Sequence, residues 1–239
     1  MNRSEPTIFI VDDEPSVLTA VSRLFRSAGL RVAMFTSPME FLNTYDPAAP
    51  GCLVLDVAMP GLNGLELQQA LAAGGAGLPI IFLTGRADIP MSVQAMKRGA
   101  VDFLCKPIDD TTLIAAVRRA IEKDRVNRRA QAERAVIQRR FATLTPRERE
   151  VLAHVVSGQP NKQIAVDLGT VEKTIKVHRA RVMEKMNARS LAELVTLAQR
   201  AGIAPALRRP APRSAPRPAP RIESPSPIRT EQSRSLPPR

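Results

Sequence analysis

Ile8-Phe9-Ile10-Val11-Asp12-Asp13 is an apolar run closed by two carboxylates, and the same pattern returns along the first half of the chain. Cys52 to Leu55 runs into Asp56, Ile80 to Leu83 into Thr84, and Val101 to Cys105 into Lys106. Between such runs lie helical patterns, as with Val17, Leu18, Val21, Leu24 and Phe25 on one face. Near-continuous apolar strands alternating with helices specify a parallel sheet covered on both faces. Residues 7–122 therefore read as a doubly wound α/β domain. In such sheets the carboxyl ends of the strands, where strand order reverses, form the ligand crevice. The polar residues that close the four runs are expected to converge there.

Three carboxylates, a hydroxyl and an ammonium in one crevice suit Mg²⁺ and a phosphoryl group. Mg²⁺ takes oxygen ligands, usually one or two carboxylates with phosphate oxygens and water, and Lys offers a point charge to the remaining phosphate. Asp56 is the expected phosphoryl acceptor. Asp12 and Asp13 are expected to hold the metal, with Asp56 touching it and the backbone carbonyl of Ala58 completing the set. Thr84 and Lys106 would read the product. Taken singly, an Asp after a strand is more often a loop residue or a helix cap, and Thr84 before Gly85 is ordinary turn chemistry. The residue before a proline is held extended, which aims Lys106, ahead of Pro107, into the crevice. The complete set, in order on successive strands, is what points to chemistry.

The chain of 239 residues suits two domains and a tail. Residues 1–122 carry 10 basic and 13 acidic side chains, residues 123–204 carry 17 and 8, and residues 205–239 carry 8 and 2. A mildly acidic half joined to a strongly basic one points to nucleic acid as the partner of the second half. Cys52 and Cys105 lie in apolar strand segments without metal-ligand spacing, and read as small buried hydrophobes of a reducing cytoplasm. The longest apolar runs are far too short to span a membrane, and the polar start, Met1 to Thr7, has no signal-peptide character.

Residues 123–140 are rich in Arg, Glu, Gln and Ala without Gly or Pro, so a helical linker is expected. Val126, Ala130 and Ile137 are its only plausible apolar stripe, and its Arg residues read as a solvated face. Beyond it, Thr145, Pro146 and Glu148 spell an N-cap, a proline at the first helical position and a capping-box acid, with Gly158 as the stop. Asn161 is expected to cap a short helix through Leu168, Gly169 to form a tight turn, and a longer helix to run from about Glu172 to Met186. Ser190 and Glu193 repeat the capping box before a last helix ending near Gly202. Residues 141–204 thus describe an all-α helix-turn-helix module, whose second helix enters the DNA major groove. With Ile175, Val182 and Met186 in the core, the exposed positions are expected to be Lys173, Lys176, Val177, Arg179, Ala180 and Met183. Lys176 is the leading candidate for a base edge or a phosphate, and Val177 and Ala180 for a thymine methyl. His178 is expected half-buried or on a phosphate, with no metal site shared with His154. Residues 205–239, with 10 prolines and 8 arginines, are expected to be a disordered tail.

These residues carry a family resemblance. Val11-Asp12-Asp13-Glu14, Asp56 with Pro60 and Gly64, Thr84-Gly85 and Lys106-Pro107 resemble a two-component receiver domain of flavodoxin-like fold. Leu144-Thr145-Pro146-Arg147-Glu148, Asn161-Lys162 and Thr174-Ile175-Lys176-Val177-His178-Arg179 resemble the LuxR-type helix-turn-helix. Asp88-Ile89-Pro90-Met91 and Gly99-Ala100-Val101-Asp102-Phe103 are similar to the FixJ branch of the NarL/FixJ response regulators. The resemblance implies a transcription factor phosphorylated on Asp56 by a partner histidine kinase. Thr84 and Lys106 would move onto the phosphoryl group and Phe103 would turn inward as the switch aromatic. A homodimer would form through a face bearing Val93 and Lys97 and pair two recognition helices on a double-stranded operator, with RNA polymerase as a further partner. Thr170-Val171 stands where the family has Val-Ser, which displaces the capping hydroxyl by one position. A lost N-cap costs about 1 kcal/mol, unless the helix begins early on Thr170. A phosphatase of the haloacid dehalogenase type would need a second acid two residues after the nucleophile, where Ala58 stands. A pure interaction module would lack the capped, basic helices.

Overall fold

The computed structural model describes residues 5–85 and 89–203. Asp88 of the motif quoted above and the tail at 205–239 lie outside the described residues. Five strands, β1 (Thr7–Val11), β2 (Arg31–Phe35), β3 (Gly51–Leu55), β4 (Ile80–Thr84) and β5 (Asp102–Cys105), form one sheet in the order β2-β1-β3-β4-β5, and every pair is parallel. Strand order reverses between β1 and β3, where Val11 stands opposite Leu55.

Strand periodicity explains why the runs are apolar throughout. Phe9, Val11, Leu53, Leu55 and Phe82 turn to one face, into a core shared with Phe41, Leu67 and Leu71 of α2 (Pro38–Thr44) and α3 (Gly64–Ala73). Ile8, Ile10, Cys52, Val54 and Ile81 turn to the other, against Leu18 and Phe25 of α1 (Pro15–Ser27) and Leu113 and Val117 of α5 (Asp110–Ala142). Successive strand side chains point to opposite faces, so covering both faces leaves no polar position. α4 (Ile89–Lys97) is the weakly seated helix of this domain, with Ala95 its one buried residue among those described.

The linker expectation needs correcting in three respects. Residues 123–140 are not a separate element: α5 runs unbroken for 33 residues. Val126 and Ala130 are exposed, and only Ile137 of the expected stripe is buried, in the core of the second domain. Nor are the arginines uniformly solvated. Asp124 is 3% exposed and accepts from Arg128 Nε at 2.8 Å and from the backbone N–H of Gly51 at 3.0 Å. The same guanidinium donates to the carbonyls of Pro47, Ala48 and Ala49. The helix is thereby clamped to the loop that enters β3, at the sheet end away from the crevice.

The second domain packs the end of α5 with α6 (Pro146–Val156), α7 (Asn161–Asp167), α8 (Glu172–Met186) and α9 (Leu191–Arg200) around Ile137, Val151, Leu152, Ile164, Ile175, Val182 and Leu194. Thr145 and Glu148 form the reciprocal capping box of α6. Glu148 is also buried, and Lys185 of α8 donates to it at 2.7 Å, which holds its carboxyl below the usual carboxylate range. Asn161 does not cap α7. Pro160 is the N-cap residue and Asn161 is the first helical residue, its Oδ1 accepting from Arg179 Nη1 at 3.1 Å. Gly169, at φ +61°, supplies the left-handed turn between α7 and α8. The N-cap of α8 is Val171, with no side-chain cap, so the helix does not begin early on Thr170. Cys52 is buried and its thiol pKa pushed up to about 12 by burial, whereas Cys105, expected inside, is exposed.

The clamp gives a measurable consequence. Arg128→Ala leaves Asp124 buried with only the Gly51 N–H and is expected to destabilise the receiver by about 3 kcal/mol. Denaturant unfolding followed by near-ultraviolet circular dichroism checks it. Loss below about 0.5 kcal/mol would mean that the clamp adds nothing to the fold.

Candidate functional site: the strand-end crevice and the basic helix

The crevice forms because four strands of one sheet end together. Asp12 follows β1, Asp56 follows β3, Thr84 ends β4 and Lys106 follows β5. Asp12, Asp56 and Thr84 are buried, with 3%, 7% and 0% exposure. Lys106 Nζ donates to Asp12 Oδ2 at 2.7 Å and to Asp56 Oδ1 at 3.3 Å. Its backbone N–H donates to the Thr84 carbonyl at 2.8 Å, and the Lys106–Pro107 peptide is cis. Asp13 lies at the exposed rim.

Two backbone groups that the sequence did not reveal complete the arrangement. The Glu14 N–H donates to Asp12 Oδ1 at 2.9 Å, and the Ala58 N–H donates to Asp56 Oδ2 at 2.7 Å. Besides the carbonyl expected to face the metal, Ala58 thus offers its N–H, which holds the acid. Gly64 makes room for this turn. A Cβ there would sit 2.3 Å from the Asp56 carbonyl oxygen, so α3 can approach only with glycine at its first position.

Electrostatics follows from burial and from these partners. Burial pushes the Asp56 carboxyl up; the Lys106 charge and the Ala58 N–H pull it down, Asp12 pushes it up, and the balance lies above the ordinary value. Burial pulls the Lys106 ammonium down, but hydrogen bonds and charge from Asp12 and Asp56 outweigh it and hold the ammonium above its ordinary value. Among the described residues no three Asp, Glu, His or Cys side chains are arranged to hold a metal by themselves. Two buried carboxylates and nearby carbonyls are hard oxygen donors. They fit an ion that keeps several waters, as Mg²⁺ does, better than one needing a closed protein cage.

Phe103 on β5 is half-buried against Phe82, with ring centroids 5.7 Å apart. It lines an open groove with Ser92, Val93, Met96, Lys97 and Asp102. Val93 and Met96 are each 44% exposed. The two residues of the expected dimer face, Val93 and Lys97, thus share one groove on α4.

On α8, Lys173, Lys176, Val177 and Ala180 form an exposed face. Lys176 pairs with Glu172 at 3.1 Å, an exposed i,i+4 contact of little net strength. Arg179 and Met183, expected on that face, are half-buried instead. Arg179 braces α8 against Asn161 of α7. His178 is half-buried, its Nδ1 without a partner among the described residues.

A receiver sheet with this crevice, joined by one helix to a helix-turn-helix, is also what known proteins present. The receiver-domain model of response regulators matches residues 8–118, and the model of luxR-family bacterial regulatory proteins matches residues 142–198. Nodulation protein W of Bradyrhizobium diazoefficiens is 48% identical over 196 residues, 82% of this chain and 86% of that protein. The chain belongs to the two-component response regulators. Within them it is a FixJ-like transcriptional regulator with a LuxR-type DNA-binding domain. The transcriptional regulatory protein FixJ of Azorhizobium caulinodans is 46% identical over 83% of this chain and 94% of that protein. Among solved structures, the response regulator StyR aligns with a TM-score of 0.72 and 44% identity, over 82% of this chain and 99% of that one. Full-length FixJ of B. japonicum aligns with a TM-score of 0.51 and 41% identity, over 83% and 98%.

The raised Asp56 pKa makes a pH prediction. If Asp56 is the nucleophile, its carboxylate is the reactive form, and labelling by a small acyl phosphate is expected to fall on acidification with a midpoint above the ordinary value of about 3.9. Lys106 lowers that pKa, so Lys106→Met is expected to move the midpoint further up. A pH–rate profile checks both; a midpoint that falls in the variant would contradict the electrostatic account.

Proposed function

We propose that Asp56 is the phosphoryl acceptor of this response regulator, and that its phosphorylation by a partner histidine kinase drives dimerisation and operator binding. The observation carrying the proposal is the buried Asp56 carboxylate at the switch point of the sheet, bonded to Lys106 and cradled by the Ala58 N–H. A carboxylate oxygen of Asp56 would form the new bond to phosphorus as the bond from phosphorus to the kinase histidine nitrogen breaks. The chain accepts phosphoryl on its own side chain and does not turn over an external substrate. Asp12, Asp13, Asp56 and the Ala58 carbonyl would hold Mg²⁺, which when bound offsets charge on the phosphoryl oxygens. Lys106 and Thr84 would bind the transferred group. Movement of Lys106 toward it would loosen the ion pair to Asp12, and Phe103 would turn inward against Phe82.

The α4 face bearing Val93 and Lys97 would then pair with that of a second copy. In support, Ile89, Val93 and Met96 expose apolar surface there. Paired receivers would place two copies of α8 on one operator, with Lys173, Lys176, Val177 and Ala180 toward the major groove and Arg179 as brace and secondary contact. The receiver would comprise residues 7–122 and the DNA-binding domain residues 141–204, joined by 123–140. RNA polymerase would be met at the promoter, in the cytoplasm.

Three variants test this reading. Asp56→Asn keeps shape but removes the nucleophile, so labelling by phosphorylated kinase or a small acyl phosphate is expected to vanish. In the same assay Val93→Asp is expected to be labelled normally yet stay monomeric in sedimentation, because pairing would bury an uncompensated charge. Normal labelling of Asp56→Asn would remove the acceptor assignment, and a normal dimer of Val93→Asp would move the interface elsewhere. Lys176→Ala is expected to weaken operator binding by about 1 to 3 kcal/mol and relax one base preference if the side chain reads a base, or weaken all sequences alike if it meets phosphate. Unchanged affinity would place the DNA surface off this helix.

A further inference from the structure

α3 and α4 meet through an unusual joint. Gln68 of α3 is 3% exposed, on a helix that buries Leu67 and Leu71 in the core to which Ala95 of α4 also belongs. Its Nε2 donates to the Ala95 carbonyl of α4 at 3.1 Å, across 27 residues of chain. That carbonyl already accepts the Ala100 N–H at 3.2 Å, while the Gly99 N–H bonds Met96 at 2.9 Å, which together close the C-terminal turn of α4. The amide orientation is fixed, because only the NH₂ end can face a carbonyl. Gln68 Oε1, at the other end, is buried with no partner among the described residues.

Magnitudes decide what this joint does. A hydrogen bond to a neutral carbonyl returns little net stability, because water made the same bond in the unfolded chain, whereas a buried acceptor left unpaired bears its full desolvation cost. The orphan oxygen therefore outweighs the bond that places it there. Apart from this bond α4 is seated on the core by Ala95, its one buried residue among those described, and by the half-buried Met91. The turn it closes leads directly into β5, which carries Phe103 and is followed by Lys106.

We propose that Gln68 is a positioning residue that keeps the α3–α4 joint marginal. Its amide NH₂ sets the register of the α4 turn, and its unpaired oxygen penalises the docked arrangement, in which Lys106 bonds Asp12 and Asp56. When α4 shifts, water reaches the oxygen and the penalty is relieved, so movement at the phosphorylation site is passed to the α4–β5 face at low cost. An apolar side chain at this position would leave no polar group unpaired, since the Ala95 carbonyl retains the Ala100 N–H, and would lock the joint.

The test uses full-length Gln68→Leu, with Gln68→Met as a volume-conserving second variant that folds should the branched side chain misfit. Backbone hydrogen exchange at residues 99–103 is measured in the unphosphorylated chain, and dimerisation constants are measured with and without acetyl phosphate. Exchange is expected to slow about five- to tenfold, and the dimerisation constant of the free chain to fall by at least that factor, with the phosphorylated constant falling by no more than the free one. Labelling of Asp56 is expected to be unchanged. A residue of purely structural value would shift global unfolding and leave the dimerisation constants alone. Unchanged or faster exchange in the folded variants overturns the proposal, as do unchanged constants in a chain that dimerises. The dimer measurement rests on the α4 reading given above, but the exchange measurement does not. Slowed exchange in a chain that stays monomeric even when phosphorylated, wild type included, supports the joint and overturns the dimer reading instead.

Discussion

Lys106 is bonded to two buried carboxylates that arrive from different strands, and this shared ammonium fixes how the ends of β1, β3 and β5 meet. Two carboxylates so close to one another and so little exposed would repel if ionised alone. One cation between them converts repulsion into a three-point tie. Taking such charges out of water costs several kcal/mol per ion, and only good geometry with further hydrogen bonds recovers it. The Glu14 and Ala58 N–H groups provide those bonds. The tie is therefore near balance. A doubly charged phosphoryl group on Asp56, as proposed above, would compete directly for the ammonium, and a small chemical change would then reposition a strand end.

The crevice was legible because its chemistry is written in side chains at strand ends. Apolar runs closed by Asp, Thr and Lys announce both the strands and what stands at their termini, and topology brings the termini together. The backbone donors were not legible, since any residue has an N–H and neither Glu14 nor Ala58 differs in type for donating it. Gln68 was hidden for another reason. A polar residue between Leu67 and Leu71 in a helix ordinarily faces solvent, and only packing against α4 places it inside. The clamp at Asp124 and Arg128 did leave a signal, an acid and a base four apart on a helix, but the charge-rich surroundings made it look like one more solvated pair.

In the second domain, N-cap residues marked the helix starts at Thr145, with its full capping box, and at Ser190, where Glu193 accepts instead from the Arg189 N–H, and misled at Asn161. A proline just ahead supplies the extended cap conformation itself, so Asn161 falls inside the helix and its side chain is available to Arg179. That pairing in turn half-buries Arg179 and narrows the exposed stripe of α8, proposed above to meet DNA, to Lys173, Lys176, Val177 and Ala180. Periodicity alone cannot separate a half-buried brace from an exposed contact on the same helix.

α5 contributes Leu113 and Val117 to one core and Ile137 to the other, with Asp124 and Arg128 fixing its middle. A single rod of about 50 Å thus belongs to both domains. Its residue count works as an angle as well as a length. One added residue would turn everything beyond it by about 100° and advance it by about 1.5 Å, whereas seven would return it to within about 20° of the starting direction. Exchange of receivers between such proteins is therefore governed by helical phase: a fusion that joins two well-folded halves out of step would present the recognition helix to the wrong side of the duplex.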